Sequence, residues 1–470
     1  MINRLRSRAS AGAAEPPVRE RSSIGVIIAI WALILLMIIP EGFDYDVQNG
    51  ALGLIPTEGS PFSRTMWLLL LGSSLGLTLS RSGVALKLLR QINPWLFVFM
   101  GLAAFSAFWS IDPEVTVRRV LRLVTIVLAA MSLAVTSSQT NRFQSVLRPL
   151  LTTLLVASII FVIVAPELAI MQSDRPELIG AWRGLTTQKN VLGSLAAISL
   201  ILWVHAWLNN ESRGWVVLVG AAVSAICLVN SRSTSSIMAT AFSIVLMLML
   251  LRSPPGLRRY LPYLIGLFAA TLLVYSLAVL NLVPGSDLLL SPITAITGKD
   301  QTFSGRSAIW AVLNEHISYR PWLGSGFGAY WVQTPDSPSM DMVRRLYFYP
   351  IEGHNGYLDV INDLGAVGGL CLVAYLVAFL RQGLKIFAAL RPQGALYLVL
   401  IFEQLVGNLS ESRWFNVLAF DFVIMTLVTV SMGKNLLELR QSRPAAPDGA
   451  ARGTVKGAAR PLAARWRRPA

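Results

Sequence analysis

Residues 190–251 decide the fold, and they read NVLGSLAAISLILWVHAWL (190–208), NNESR (209–213), GWVVLVGAAVSAICLVN (214–230), SRS (231–233) and TSSIMATAFSIVLMLMLL (234–251). Each apolar run approaches the roughly 20 residues that a helix needs to cross a hydrocarbon core. The connections between the runs hold only a few polar residues. Short polar turns between long apolar runs are typical of consecutive membrane-spanning helices, so the stretch predicts an all-α integral membrane protein.

The composition of the whole chain agrees with this prediction. Of its 470 residues, 54% are hydrophobic and only 14% are charged, whereas soluble domains are about one quarter charged. The net charge is +15, but a nucleic-acid-binding protein carries its basic residues on a folded polar face rather than between apolar runs. We therefore expect no nucleic-acid partner. Cys227 and Cys371 both lie in apolar runs, which gives neither a disulfide framework nor a metal-ligand spacing.

Twelve such apolar runs occur along the chain. Their approximate cores are 24–40, 66–80, 94–109, 115–135, 149–165, 190–208, 214–230, 234–251, 260–283, 357–380, 394–408 and 417–433. The chain thus divides into a basic arm (1–23), a membrane domain (24–433) and a basic tail (434–470). The tail is rich in Ala, Arg, Pro and Gly and lacks an apolar stripe, so we expect it to be disordered and to contact membrane lipids.

Charge is distributed unevenly between alternate connections. With the N-terminus placed in the cytoplasm, the arm, the even-numbered connections and the tail carry 26 of the 40 Lys and Arg residues but only five of the 25 Asp and Glu residues. Cytoplasmic loops hold the excess of basic residues in membrane proteins. We therefore predict twelve spans with both ends in the cytoplasm.

The ninth connection, residues 284–356, is a large loop on the opposite, outer side. Ile309, Leu313 and Ile317 are spaced four apart, which predicts an amphipathic helix along the membrane surface. Arg306 falls in its first turn, where the helix dipole and unpaired N–H groups favour an anion. The alternative role for Arg306 is an interfacial anchor.

The large loop ends at His354 and Asn355, at the mouth of the tenth span. His354 is one of three histidines, the others being His205 and His316, and only His354 lies in an outer polar loop at such a mouth. A histidine can accept or donate a proton near neutral pH. The alternative is structural, with His354 and Asn355 capping the tenth helix.

Further positive residues reach the outer side against its acidic bias. Arg183, Lys189 and Asn190 precede the sixth span, and Arg232 occupies the tight turn before the eighth. An arginine at a membrane edge can simply extend to lipid phosphate. Several arginines directed at one place would suit a diphosphate, which arginine binds with its forked donors.

These motifs together resemble the O-antigen ligase and polymerase superfamily. The resemblance lies, in order, in 109–113, 184–193, 231–233, the pair Gly305-Arg306 followed by Ile309-Trp310, Pro321 with 323–326, 354–358 followed by Leu364-Gly365, and 408–412. It covers roughly residues 95–430. Among the branches of this superfamily, the chain is most similar to the exopolysaccharide-production polymerases.

The resemblance implies a twelve-helix, lipid-dependent membrane glycosyltransferase that acts on the periplasmic side of the bacterial inner membrane. It implies an undecaprenyl-diphosphate-linked donor, a glycan or lipid-linked acceptor, and flippase and chain-length regulator proteins as partners. It gives Arg232 and Arg306 the donor diphosphate and His354 the catalytic role, with no cofactor and no metal. Arg183, Lys189, Asn190 and Asn355 are expected to support the site.

The resemblance leaves the acceptor open. A polymerase adds repeat units to another lipid-linked repeat unit, whereas a ligase transfers the glycan to lipid A core, and a protein O-glycosyltransferase is a third alternative. A rival enzyme site is the acidic first outer loop, where Asp44, Tyr45 and Asp46 offer paired carboxylates for a metal or a base.

The rival from another class is a secondary transporter. Twelve spans with both ends inside are common among transporters, and Glu403 and Asp421 are ionisable residues within predicted spans. Transporters tend to show two similar halves, which this sequence lacks. We expect Glu403 instead to pair with an internal arginine such as Arg122.

Overall fold

The structure is a computed structural model. It describes residues 24–40, 60–137, 142–172, 178–254, 306–333 and 337–442, with scattered residues between 256 and 274. The arm, the loop of Asp44 and Asp46, most of the ninth predicted run, residues 284–305 of the large loop and the tail beyond 442 lie outside the described residues.

The described chain is helical apart from an isolated antiparallel bridge between Ile170 and Trp182. Its helices are α1 (Ile24–Ile38), α2 (Pro61–Leu79), α3 (Ser82–Leu89), α4 (Pro94–Phe105), α5 (Pro113–Thr136), α6 (Arg142–Val164), α7 (Pro166–Ala169), α8 (Lys189–Leu208), α9 (Gly214–Asn230), α10 (Thr234–Arg252), α11 (Arg306–Tyr319), α12 (Met340–Leu346), α13 (Gly356–Ala389), α14 (Arg391–Gly407) and α15 (Phe420–Gln441). The short 3₁₀ helix Ser106–Phe108 extends α4.

All predicted runs except the ninth fall on these helices. Six of the described helices are long and apolar enough to cross a membrane, or up to seven if α2 and α3, which meet at 95°, form one broken span. α1, α9 and α4 with its 3₁₀ extension are apolar but shorter. The protein is therefore a helical, multi-pass membrane protein, and the count of twelve spans stays a prediction.

Three helices form the centre of the bundle. α8, α14 and α15 bury most of their length and carry polar residues such as Gln404 and Asn435 at buried positions. Peripheral helices leave large apolar side chains exposed, among them Leu68, Leu218 and Val245. Apolar side chains suit lipid, whereas polar groups are costly there, so this arrangement fits a membrane environment.

The loops of the bundle gather at two opposite ends. At one end, Trp109 donates from Nε1 to the carbonyl of Leu323 (2.9 Å), and Gly356 donates from its N–H to the carbonyl of Asn408 (3.0 Å). We call this end the site face. At the other end, Arg148 pairs with Glu211, and His205 Nε2 lies 3.0 Å from the carbonyl of Pro392.

A break in α13 ties the large loop to the bundle. Gly365 has φ +64°, so the helix is interrupted there and neighbouring main-chain groups lose their helical partners. The turn after Pro321 supplies new hydrogen-bond partners. The N–H groups of Ser325 and Gly326 donate to the carbonyls of Asn362 and Asp363 (3.0 and 2.9 Å). In the other direction, the N–H groups of Ala366 and Val367 donate to the carbonyls of Pro321 and Trp322 (2.8 and 3.3 Å). Non-helical backbone at membrane depth is tolerated where protein satisfies it in this way.

The predicted amphipathic helix exists as α11, but its apolar face does not lie on lipid. Ile309 and Leu313 are buried against Tyr330, Met342 and Leu358. The prediction that this helix packs its apolar stripe against the membrane is therefore wrong. The second half of the same loop folds back and covers the stripe instead.

The break in α13 gives a prediction about stability. A Cβ at Gly365 would meet the carbonyl group of Trp322, and its positive φ disfavours any side chain. We expect Gly365→Ala to destabilise the protein by on the order of 1–3 kcal/mol or more. The matched control is Gly72→Ala in α2, where a Cβ meets nothing within 4 Å. Equal melting temperatures of both purified variants in detergent would contradict the role of the break.

Candidate active site

Four separate segments meet at the site face. They are the start of α8, the start of α11, the residues just before α13, and the connection between α14 and α15, residues 408–419, which we call the Glu411 loop. Their meeting point is a buried carboxylate, that of Glu411, which is 6% exposed.

The Glu411 carboxylate accepts hydrogen bonds from two of these segments and pairs with a third. Its Oε1 accepts from Arg306 Nη2 at 2.9 Å and from Asn190 Nδ2 at 2.7 Å. Its Oε2 lies 3.5 Å from Nδ1 of His354. One side chain thus joins residues that are far apart in sequence, and it places the histidine and the arginine of the large loop side by side.

His354 stands between two carboxylates. Its Nδ1 lies 3.3 Å from Oε1 of Glu352 as well as 3.5 Å from Glu411. Its backbone is left-handed, with φ +49°. Because Nδ1 faces both carboxylates, Nε2 is the ring nitrogen left to meet a ligand.

The chain around His354 is held by its neighbours. Asn355 caps α13, since its Oδ1 accepts from the N–H groups of Tyr357 (3.1 Å) and Leu358 (3.2 Å). The N–H of Asn355 donates to Ser412 Oγ in the Glu411 loop at 3.2 Å. Trp310 of α11 donates from Nε1 to the carbonyl of Gly353 at 2.8 Å. Hydrogen bonds to the main chain of Gly353 and Asn355, on both sides of His354, therefore fix the position of its ring.

We call Glu411, Glu352, His354, Arg306 and Asn190 the Glu411 cluster, and its charges shift the pKa values of its members strongly. Burial lowers the pKa of His354, but the carboxylates of Glu352 and Glu411 outweigh burial and raise it to about 10. Burial raises the pKa of Glu411, but His354, Arg306 and Arg413 lower it to about 2. For Glu352 burial dominates and the pKa is raised. At neutral pH the cluster therefore holds an imidazolium, a guanidinium and at least one carboxylate.

Arg232 lies at the same face but makes a different contact. Its Nη1 donates to the carbonyl of Ile179 at 2.7 Å, and its own backbone has φ +50°. The turn that carries Arg232 packs on α8 at Gly193, where a Cβ would lie 2.8 Å from Ser233 Cβ. Gly193 is one helical turn, about 4.5 Å along the axis, from Asn190. The described residues show no hydrogen bond or ion pair between Arg232 and the Glu411 cluster.

The expected supporting residues fall into two groups. Asn190 contacts Glu411 directly, and Lys189 precedes it as the first residue of α8. Arg183 is buried and donates from Nε to the carbonyl of Leu168 at 2.6 Å, which closes the turn after α7. Asn355 acts as the helix cap described above. Arg183 and Asn355 thus make structural contacts.

Sequence reasoning gave no role to Glu352 and Glu411. Each lies two positions from a charged or titratable residue, His354 and Arg413 respectively, at the mouth of a predicted span. The signal was present for Glu411, because a carboxylate in a very short outer connection has few ways to reach water. What the sequence could not supply was the distance from Glu411 to Arg306, which are 105 positions apart.

A second buried ion cluster lies beneath the Glu411 loop. Arg413 Nη1 lies 2.9 Å from Glu403 Oε1 and 3.3 Å from Asp421 Oδ1. Gln404 Nε2 donates to both carboxylates, and Ser194 Oγ donates to Asp421 at 2.5 Å. The expected pairing of Glu403 with Arg122 is therefore wrong. Arg413, which directly follows the Glu411–Ser412 pair in sequence, turns inward and satisfies both acids.

Distances alone would allow a metal ion at the site. Ligand atoms of Glu352, His354 and Glu411 all lie within 4.8 Å of one another. However, Arg306 donates to the same Glu411 carboxylate, and its fixed positive charge opposes a cation there. The cluster fits an ion-paired group better than a ligand set, and the prediction of a metal-free site remains an expectation.

Comparison with known proteins identifies the class to which this arrangement is similar. A family model described as O-Antigen ligase matches residues 219–373, from α9 to the middle of α13. This range includes Arg232, Arg306, Glu352 and His354 but not Glu411. The predicted resemblance to the O-antigen ligase and polymerase superfamily is thereby confirmed.

A second comparison gives a relative that is named for exopolysaccharide production. The exopolysaccharide production protein ExoQ of Rhizobium meliloti (strain 1021) is 26% identical over 301 residues. The match covers 61% of this chain and 65% of ExoQ, so the chain spans slightly less than two thirds of that relative. The similarity agrees with the predicted branch.

The charge cluster predicts a characteristic pH dependence of stability. Because the pKa of His354 rises from 6.5 to about 10 on folding, its pairing stabilises the protein fully below pH 6.5 and is lost toward pH 10. Because the pKa of Glu411 falls from 4.5 to about 2, its pairing is complete above pH 4.5 and is lost toward pH 2. We therefore expect His354→Gln to lower the melting temperature most between pH 4.5 and 6.5.

His316 provides the control, because folding shifts its pKa in the opposite direction from that of His354. Burial lowers the pKa of His316 in α11, so its protonation opposes folding at low pH. The loss of stability in His316→Gln should therefore be smallest at low pH, the reverse of the trend for His354→Gln. Thermal unfolding followed by circular dichroism in detergent measures both, and a pH-independent loss in His354→Gln would refute the charge assignment.

The inner cluster gives a prediction about its arginine. Arg413→Met leaves Glu403 and Asp421 buried without a cation, which we expect to cost about 3–5 kcal/mol of stability. The control is Arg344→Met in α12, where the side chain is 70% exposed and pairs with Asp341 at 2.8 Å, and where we expect a change within about 0.5 kcal/mol. Similar melting temperatures for the two variants would argue against the pairing.

Proposed function

We propose that the protein is an inner-membrane glycosyltransferase that transfers a glycan from undecaprenyl diphosphate to an acceptor hydroxyl on the periplasmic side. The observation that carries the proposal is the Glu411 cluster, which brings a proton-handling histidine and an anion-binding arginine together at one end of a membrane bundle. The similarity to the O-antigen ligase family and to ExoQ supports the same reaction class.

The arginines receive the donor diphosphate. Arg306 pairs with Glu411 in the free protein, so its guanidinium is already oriented and partly desolvated before a ligand arrives. A diphosphate offers more negative charge than one carboxylate and can take over the donors of Arg306. Arg232 lies in the turn that packs on α8 at Gly193, and we assign it to the same diphosphate. Both charges then stabilise the leaving diphosphate as negative charge develops on it.

His354 and Glu352 handle the proton of the acceptor hydroxyl. The carboxylates of Glu352 and Glu411 hold the Nδ1 proton of His354, so the reactive form is the neutral ring that has released its Nε2 proton to solvent. Nε2 then accepts the proton of the hydroxyl. The hydroxyl oxygen bonds to the anomeric carbon, the bond from that carbon to the diphosphate oxygen breaks, and its electron pair leaves with the diphosphate. This displacement inverts the anomeric centre.

Polymerisation of exopolysaccharide or O-antigen repeat units is the activity that we favour. The similarity to a protein named for exopolysaccharide production supports this choice, while the family description keeps the ligase as the second candidate. A polymerase joins two lipid-linked glycans, whereas a ligase transfers the chain to lipid A core. Both activities use the same donor, so the Glu411 cluster serves either.

The site residues can be tested with a lipid-linked donor. We expect His354→Ala and Arg306→Ala each to abolish polymer, and Glu411→Gln to reduce it by about 100-fold or more, because the paired residues act as one unit. The measurement is the glycan length made in proteoliposomes from undecaprenyl-diphosphate-linked repeat units. EDTA should leave the wild-type rate unchanged.

The control is Arg344→Ala, an exposed arginine of the same loop, which should make polymer of normal length. Normal chain length in both His354→Ala and Arg306→Ala would overturn the site. Deletion of the gene separates the two candidates, because single lipid-linked repeats accumulate if the protein is a polymerase and full-length unattached chains accumulate if it is a ligase.

A further inference from the structure

Three arginines lie close together on α5, away from the Glu411 cluster. Arg118, Arg119 and Arg122 fall within one helical turn and within an arc of about 100° around the helix. We call them the α5 arginine cluster. α5 begins at Pro113 on the site face, where the N–H of Ile111 donates to the carbonyl of Ser325 at 2.9 Å. The cluster therefore occupies the half of α5 nearest the site.

Among the described residues, Arg118 has one weak acidic partner and Arg122 has none. Arg118 lies 3.9 Å from Glu114, which is 82% exposed, so this pair is weak. Arg122 has its guanidinium carbon 5.2 Å from the ring centre of Trp67 in α2, and the described residues give it no hydrogen bond and no ion pair. Three like charges this close repel one another, and the repulsion grows in a membrane.

The depth of Arg122 makes the lack of a counter-charge more costly. Arg122 lies nine residues after Pro113, which is about 13 Å along the helix. Charged residues inside spans usually pair with another group or mark a path for ions or substrates. Glu403 and Asp421 both pair with Arg413, and Asp359 and Asp363 of α13 line a cavity with Arg119 rather than with Arg122.

Arg119 links the cluster to the candidate active site. Its side chain runs past Gly328, where a Cβ would lie 2.5 Å from Arg119 Cδ, and the N–H of Gly328 donates to Asp363 Oδ2 at 2.8 Å. Arg119 also lines a cavity of about 40 Å³ together with Asp359, Asp363 and Ser412. Asp359 accepts from the N–H of Gly353, next to His354, so the far wall of the cavity is the back of the catalytic loop.

We propose that the α5 arginine cluster is a second binding site for the phosphate or diphosphate headgroup of a lipid. The guanidinium group of arginine can donate two parallel hydrogen bonds to phosphate oxygens. An anion held by Arg118 and Arg122 supplies the missing counter-charge. The assignment of this headgroup to the lipid-linked acceptor rests on the proposed function. A polymerase holds two lipid diphosphates at once, one for the donor at Arg306 and one for the acceptor at the α5 arginine cluster.

Two kinds of lipid carry a phosphate that could bind this site. One is the acceptor polyprenyl diphosphate, and the other is an ordinary anionic phospholipid of the bilayer. The experiment uses native mass spectrometry of the full-length protein with undecaprenyl diphosphate and, separately, with phosphatidylglycerol. We expect wild type to bind two molecules of undecaprenyl diphosphate, and Arg118→Gln combined with Arg122→Gln to bind one, with affinity for the second reduced about tenfold or more.

Matched variants separate charge from fold. Arg122→Lys keeps the charge and should retain the second lipid, and Arg344→Gln removes an exposed arginine elsewhere and should bind two. Competition by phosphatidylglycerol at equal concentration would assign the site to bulk lipid and overturn the acceptor assignment. Two molecules bound by the double Gln variant, with an unchanged melting temperature, would overturn the site itself.

The donor site is tested in the same experiment. Arg306→Gln should lose one undecaprenyl diphosphate while the α5 arginine cluster keeps the other, and combining it with the double Gln variant should lose both. If Arg306→Gln still binds two while the double Gln variant binds one, the proposed donor site fails and the second site stands. The opposite pattern leaves the proposed function standing and removes the second site.

Discussion

The carboxylate of Glu411 is the constraint on which the site depends. It is buried, so its charge needs partners, and it takes them from α8, from α11 and from the residue before α13. Removing any one partner leaves a buried charge with fewer donors, which is far more costly than losing a surface ion pair. The bundle and the large loop therefore hold each other in one arrangement.

The polar groups at the site face are arranged in two layers. The outer layer, with Arg306, His354 and Glu352, is half-buried and open to a ligand, whereas the inner layer, with Arg413, Glu403 and Asp421, is almost wholly buried. The inner layer fixes the Glu411 loop from below, and so the outer groups are oriented before substrate arrives. Such preorganisation lets fixed charges stabilise a developing anion without further rearrangement.

The sequence predicted the helical runs well because length and hydropathy are local properties. It also directed attention to Arg306 and His354 through short motifs. It missed the partners of these residues, since Glu411 and Arg413 act across long separations and only packing brings them into place. The α11 prediction shows the same limit: the apolar stripe was local and correct, but the surface that covers it, including Tyr330 and Met342, depended on how the rest of the loop folds.

The joint between the large loop and α13 consists of main-chain hydrogen bonds, and its main requirement on side-chain identity is glycine at positions 324, 326 and 365. A joint of this kind does not depend on the chemistry of the neighbouring side chains. Residues of the large loop outside this joint can therefore be substituted without loosening the attachment. Attachment of the loop and the chemistry of its remaining surface are thus physically separable, because backbone geometry alone sets the attachment.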